Sequence, residues 1–329
     1  MSPLDNITRV VADSDLDGLM AAAVLKAAKP SIEVHFAHPA LIRAGSIDHL
    51  IDRNTAICDL PFHENCGLYL DHHQTNRPTK QQQILFEQSG GICHWRDTPS
   101  AARAAFDLMK DELDLSHLEE IMPLVDDLDS GGISLSEFME DGPLIRLSRS
   151  LSLKDKNHMQ VVLNQFAEGE SLDNIIASHQ ERLSKLATER EAQTELVRKN
   201  TTIVDKLAIC DLSETGSRSN GYLVTALAGS DAIACCVIHG FIDGTIDNPN
   251  RQALGASFYA NSFLDEENPY DLSKLATLLD ATGGGHANAC GCRVQPADKS
   301  REMLVETDKD YNLQKWLELW SKRDTLMRR

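Results

Sequence analysis

Two periods of apolar and polar positions divide the chain. Thr8-Arg-Val-Val11 reads as a short strand, and Leu19-Met-Ala-Ala-Ala-Val-Leu-Lys-Ala-Ala28, closed by Pro30, reads as a helix. Residues 32–36, 55–59 and 67–71 read as further strands, with a short helix at 47–51. Such alternation predicts an α/β fold whose mainly parallel sheet is flanked by helices. The segment 74–91 is polar and reads as a loop. Residues 98–109 resume a helix with Pro in its first turn, and a helix near 118–125 runs into Asp126-Asp-Leu-Asp129-Ser-Gly-Gly132.

From 171 to 200 the chain is charged and free of Gly and Pro, with apolar residues such as Leu172, Ile175, Leu183 and Leu186 at broadly helical spacing. It predicts a long helix connecting two lobes, its heptads too irregular for a coiled coil. The second lobe offers strands at 201–204, 207–210, 232–239 and 253–259, and helices at 221–228 and 272–279. Gly283-Gly284-Gly285-His286 follows. Its amides can approach an anion closely and His286 can hydrogen-bond a phosphate oxygen, although a flexible turn has the same appearance. A terminal helix from 313 packs two tryptophans on the core.

The chemistry gathers at strand ends. Asp13-Ser-Asp15-Leu-Asp17-Gly18 sets three carboxylates on a strand-to-helix turn, where like charges repel unless a cation lies among them. An EF-hand loop also opens D-x-D-x-D-G, but the twelfth position here is Val24 where that loop needs Glu. Two more predicted strands end in acid, at Asp59 and Asp71. In an open α/β sheet the carboxyl ends of the strands border one crevice, so these acids can share a site. Asp71 continues as His72-His73, and imidazole among carboxylates shifts the preferred ion toward the transition series, with Mn²⁺ first. The acids at 126–129 can equally cap and turn the chain or add a ligand.

Net charge is −18, which disfavours long nucleic acid, whose binding draws on Lys and Arg. A short phosphorylated substrate remains compatible if metal ions supply the positive charge. Eight cysteines fit buried thiols in a reducing compartment; Cys290 and Cys292 lack the spacing of a zinc ribbon. No apolar stretch nears the ~20 residues a membrane span needs, and the first residues lack a signal-peptide pattern, so a cytoplasmic protein is expected.

The Asp-rich turn, Asp59, Asp71-His72-His73 and Gly283–His286, in that order along nearly the whole chain, resemble the DHH phosphoesterases with a C-terminal DHHA1 domain. That superfamily spans RecJ-type exonucleases, nano-RNases and cyclic-dinucleotide-degrading phosphodiesterases, with pyrophosphatases and exopolyphosphatases more distant. The resemblance implies a DHH metal-binding domain over 1–150, a helical linker over 151–200 and a DHHA1 substrate-binding domain over 201–329. It implies two divalent ions, Mn²⁺ or else Mg²⁺ or Co²⁺, held by Asp13, Asp15, Asp17, Asp59, His72 and Asp129. Asp59 matches the bridging carboxylate, and Asp129-Ser130-Gly131 fits the fourth motif better than Asp126. Asp71 would orient an imidazole and His73 would contact the phosphoryl group or protonate the leaving oxygen.

The chain departs from the pattern twice: Val11 stands where many members have His, and Tyr259 where many have an Arg phosphate clamp. Asn76 and Arg77 are replacements by position, Arg43 a weaker one. The expected substrate is a short oligonucleotide or dinucleotide, held at its far end by Gly283, Gly284, Gly285 and His286. The alternatives are a phosphoanhydride, polyphosphate or pyrophosphate, then a RecJ-type exonuclease or a regulator without turnover. Oligomeric state, a homodimer included, stays open.

Overall fold

The computed structural model describes residues 2–240, 254–266, 268–301 and 303–329. They form two compact units, Met1–Ala187 and Thr188–Arg329. The first contains β1 (Arg9–Asp13), β2 (Glu33–Ala37), β3 (Thr55–Cys58), β4 (Leu68–Asp71) and β5 (Ile92–Trp95). All pair in parallel, in the order β2-β1-β3-β4-β5. Between and after them come α1 (Leu16–Ala28), α2 (Pro39–Arg43), α3 (Lys80–Gln88) and α4 (Ala101–Met109). A helical run then follows: α5 (Ser116–Glu119), α6 (Met122–Ser130), α7 (Leu135–Glu140), α8 (Pro143–Ser150), α9 (Lys156–Ala167) and α10 (Leu172–Ser178). Helix α11 (Gln180–Lys199) spans the boundary between the units.

Strand alternation sends Val10 and Ala12 into a core shared with α1, α4 and α9, while Val11, Ile57 and Tyr69 face Ile42 of α2 and Phe86 of α3. Helices thus cover both faces, as the alternating pattern predicts. Helix α1 has no polar stripe because every residue from Leu16 to Leu25 is buried.

The second unit holds β6 (Thr201–Val204), β7 (Leu207–Asp211), β8 (Ala234–Ile238), β9 (Gly255–Ala260), β10 (Gly284–His286) and β11 (Ala289–Arg293), in the order β10-β11-β9-β8-β7-β6. Among these only β7 and β8 pair in parallel. Helices α12 (Gly221–Ala228), α13 (Ser273–Thr277), α14 (Glu306–Trp320) and α15 (Arg323–Leu326) accompany the sheet. Trp316 and Trp320 are buried as expected, Trp316 edge-on to Phe258 at 5.2 Å. Tyr259 packs against Gly221: a Cβ there would fall 2.1 Å from its ring, so the tyrosine fills space that glycine leaves open.

Several elements differ from the pattern reading. The polar segment after the histidines contains α3, capped reciprocally by Thr79 and Gln82, and β5 follows it; α3 buries only Phe86, so no apolar stripe announces it. The helix expected near 118–125 is two, because Pro123 sits in the first turn of α6 and starts a new helix. The stretch 171–200 is likewise two helices, α10 ending at Ser178 and α11 starting at Gln180. Gly284–His286 is a strand paired with β11 rather than a turn. Of the strand expected at 253–259, Ala253 lies outside the described residues.

All eight cysteines are free, and six are buried. Among the described residues no helix is long and apolar enough to cross a membrane.

Candidate metal centre

Parallel register builds the site. Ala12 pairs with Cys58, and Cys58 with Leu70, so the next position along brings Asp13, Asp59 and Asp71 to neighbouring strand ends; Trp95, paired with Asp71, continues the row. Adjacent strands lie only about 4.8 Å apart, so three acids at this edge are forced close together. Asp59 also leaves the strand in the left-handed region, φ 58°, with its amide donating to Leu70 O at 3.0 Å. Asp is among the few residues besides Gly that tolerate this conformation.

The Asp-rich turn adds two acids through the start of α1. Asp15 is the N-cap, its Oδ1 accepting from the Gly18 amide at 2.9 Å. Asp17, 3% exposed, reaches the first turn of α4, where its oxygens accept from the Ala101 and Ala102 amides at 2.8 and 2.7 Å. Gly18 is obligatory, since a Cβ would lie 2.6 Å from Asp13 O.

His72 closes the arrangement. Its Nδ1 lies 3.0 Å from Thr98 O, an acceptor only, so Nδ1 carries the proton and Nε2 presents a lone pair. That Nε2 lies 3.1 Å from Asp129 Oδ2, 3.6 Å from Asp17 Oδ2 and 3.9 Å from Asp59 Oδ1. It is buried yet makes no hydrogen bond of ordinary geometry, and the same holds for Asp59 Oδ1. Burying such atoms unpartnered is costly, and a cation satisfies both at once.

Donor atoms converge in three overlapping groups: Asp13, Asp15 and Asp59; Asp17, His72 and Asp129; and Asp59, Asp71, His72 and His73. Asp59 and His72 each belong to two of them. Burial and then the Asp15 charge push Asp13 up to about 6, while burial followed by Asp129 and Asp15 pushes Asp17 up to about 8. Burial and neighbouring acids raise Asp15 and Asp59 as well. Oxygen donors with one imidazole are the set a divalent cation needs, so the residues fit the group that the sequence implies.

Asp71 differs in kind. Burial alone would raise its pKa, but hydrogen bonds from His73 and Tyr69 hold it below the usual carboxylate range. Its Oδ1 takes the amides of His72 and His73 and His73 Nδ1, and its Oδ2 takes Tyr69 Oη at 2.7 Å. With its lone pairs so occupied, it orients His73 and raises the His73 pKa, against the opposing effect of burial. Asp126 is also committed, to Ser100 Oγ at 2.6 Å and to the Arg103 guanidinium at 2.9 and 2.7 Å. One turn later on α6, Asp129 faces His72 instead.

Asn76 and Arg77 follow the histidines at the edge of this site, the Asn76 carbonyl lying 3.0 Å from Tyr69 Oη, whose one proton is directed at Asp71. Gly283, Gly284, Gly285 and His286 belong to the second unit. There a Cβ at Gly283 would lie 2.4 Å from Ala276 O, and one at Gly285 2.7 Å from Ala289 O, so close packing by itself accounts for these two glycines. Tyr69, Thr98, Ser100 and Arg103 were not singled out by sequence. Tyr69 shares the face of Asp71 two residues on and was detectable from strand period; Thr98 acts through its carbonyl and leaves no side-chain signal.

No protein-family model matches the chain, and no curated protein matches it in sequence. Solved structures do match. A pGpG-specific phosphodiesterase, PggH, from Vibrio cholerae superposes with a TM-score of 0.73 at 19% identity, covering 95% of this chain and 99% of the other. The chain shares the fold of this phosphodiesterase. An exopolyphosphatase-related protein from Bacteroides fragilis matches with a TM-score of 0.50 at 14% identity, over 98% of this chain and 94% of that one. Exonuclease RecJ bound to manganese matches at 0.52 and 14%, over 96% and 90%. The DHH resemblance read from the motifs is therefore borne out in the fold.

Proposed function

We propose that the chain is a metal-dependent phosphodiesterase acting on short oligonucleotides or dinucleotides. The observation that carries this reading is the convergence of Asp59 Oδ1 and His72 Nε2, both buried and unpartnered, among carboxylates whose pKa values are raised by burial and then by one another. Asp13, Asp15, Asp17, Asp59, His72 and Asp129 would hold two divalent ions, Mn²⁺ in preference to Mg²⁺ or Co²⁺. What such ions supply is Lewis acidity toward phosphoryl oxygens and a water acidic enough to attack phosphorus at neutral pH.

The protein's own groups supply the rest. Thr98 O fixes the His72 tautomer. His73, whose pKa Asp71 raises and whose side chain is 45% exposed, donates a proton to the leaving oxygen. Gly283, Gly284, Gly285 and His286 are assigned to the remainder of the substrate on the strength of the motif alone. The PggH likeness supports a dinucleotide substrate, and the charge of −18 favours a short one.

The test is mononucleotide release from a 5′-phosphorylated dinucleotide with Mn²⁺, with polyphosphate and pyrophosphate in parallel and Asp59→Ala as control. Dinucleotide cleavage lost in the control is the expected result. Phosphate release from the anhydrides alone would replace this reading with the anhydride one. Inactivity on all three despite a metal-induced rise in melting temperature would leave a metal-binding regulator.

A further inference from the structure

Arg77 is exposed in a chain with 50 acidic and 32 basic side chains, yet among the described residues it pairs with no carboxylate and its guanidinium makes no hydrogen bond to the protein. It is nonetheless held. Its Cζ lies 4.2 Å from the ring centroid of Trp95, a cation–π stack. The indole is itself fixed, Nε1 donating to His73 O at 3.0 Å, and Trp95 pairs with Asp71 in the row that carries the acids. Two more ties fasten the same loop to the chain after β5: His72 Nδ1 to Thr98 O, and Gln74 Nε2 to Asp97 Oδ1 at 3.2 Å.

Stacking occupies the face of a guanidinium and leaves the donors on its edge free, aligned and ready for two oxygens of one phosphate. Arg77 is four residues from His73, whose Nδ1 lies 3.3 Å from Asp59 Oδ1. We propose that Arg77, positioned by Trp95, is the residue of this chain that reads a terminal phosphate of the substrate beside the scissile diester. This rests on the phosphodiesterase reading and names a specificity-determining residue for it. A terminal phosphate carries nearly two charges at pH 7 and three strong acceptor oxygens, so one stacked arginine distinguishes it from an internal diester or a hydroxyl. Trp95 is a positioning residue, acting through Arg77.

The experiment compares KM for one dinucleotide with and without its 5′-phosphate, in wild type, Arg77→Ala, Trp95→Ala and Trp95→Phe. Wild type should prefer the phosphorylated form, Arg77→Ala should shrink that preference about 10- to 100-fold, Trp95→Ala should shrink it in part, and Trp95→Phe should keep most of it. A preference equal in wild type and Arg77→Ala would overturn the clamp. An independent readout exists because Trp95 alone of the three tryptophans is not buried. Its emission in EDTA-treated protein should respond saturably to the phosphorylated dinucleotide and need about tenfold more ligand in Arg77→Ala. Should wild type hydrolyse neither dinucleotide, the phosphodiesterase reading falls and the emission titration decides the clamp: saturation by the phosphorylated form alone supports it, and indifference to the phosphate sinks it.

Discussion

Asp71 shows how one residue sets the protonation of another. Its carboxylate, filled by four donors, keeps His73 charged at a higher pH than a free imidazole would allow. If His73 is the general acid, activity declines as pH rises through the His73 pKa. In Asp71→Asn that pKa drops toward the ordinary value, so the alkaline limb of the kcat profile should move to lower pH while the acidic limb stays. An unmoved alkaline limb would remove His73 from the role. At this scale the sequence was most legible: acids at strand ends and an adjacent pair of histidines are visible as letters, whereas a carbonyl such as that of Thr98 has no letter of its own.

Among the elements, the first turn of α4 supports two of the site's acids at once. Its amides hold Asp17, its N-cap Ser100 and its Arg103 hold Asp126, and Asp126 fixes α6, which carries Asp129. Breaking a largely buried Asp–Arg pair leaves a guanidinium and a hydroxyl without their acceptor. Asp126→Ala should therefore cost about 3 kcal/mol in urea denaturation and weaken divalent-metal affinity by about 10- to 100-fold. A stability loss with metal affinity unchanged would show that α6 does not need this anchor. The same scale exposes what patterning misses. Helix α3 and strand β5 were hidden because one buried Phe86 and an edge strand with exposed Ile92 give no periodic signal. With β5 unseen, Trp95 could not be placed in the acidic row.

For the whole molecule, the acidic centre makes stability depend on pH and cations together. Asp17, held near 8, keeps its proton in the metal-free folded chain at pH values where the unfolded chain has lost it, since an unperturbed Asp titrates near 3.9. The unfolded state then binds fewer protons, and stability falls as pH rises through this window. His158 and His239, pushed down to about 4 chiefly by burial, contribute the opposite slope below about pH 6.5, whereas His72 and His73, raised by their carboxylate neighbours, add to the fall above it. In EDTA the melting temperature should fall between pH 6.5 and 8, and the increment from added Mn²⁺ should grow across that range; an increment independent of pH would contradict the arrangement. The thiols extend this to separate parts of the chain. Cys58, Cys66 and Cys93 lie in the first unit and Cys210, Cys235, Cys236, Cys290 and Cys292 in the second, none of them cross-linked. The chain thus carries a counter for its own opening: under brief alkylation in mild denaturant, with the half-buried Cys93 and Cys292 open to label in the folded chain, intact mass should advance by two labels when the metal-binding unit opens and by four when the other does. Because every assigned metal ligand lies in the first unit, Mn²⁺ should delay the step of two and leave the step of four in place.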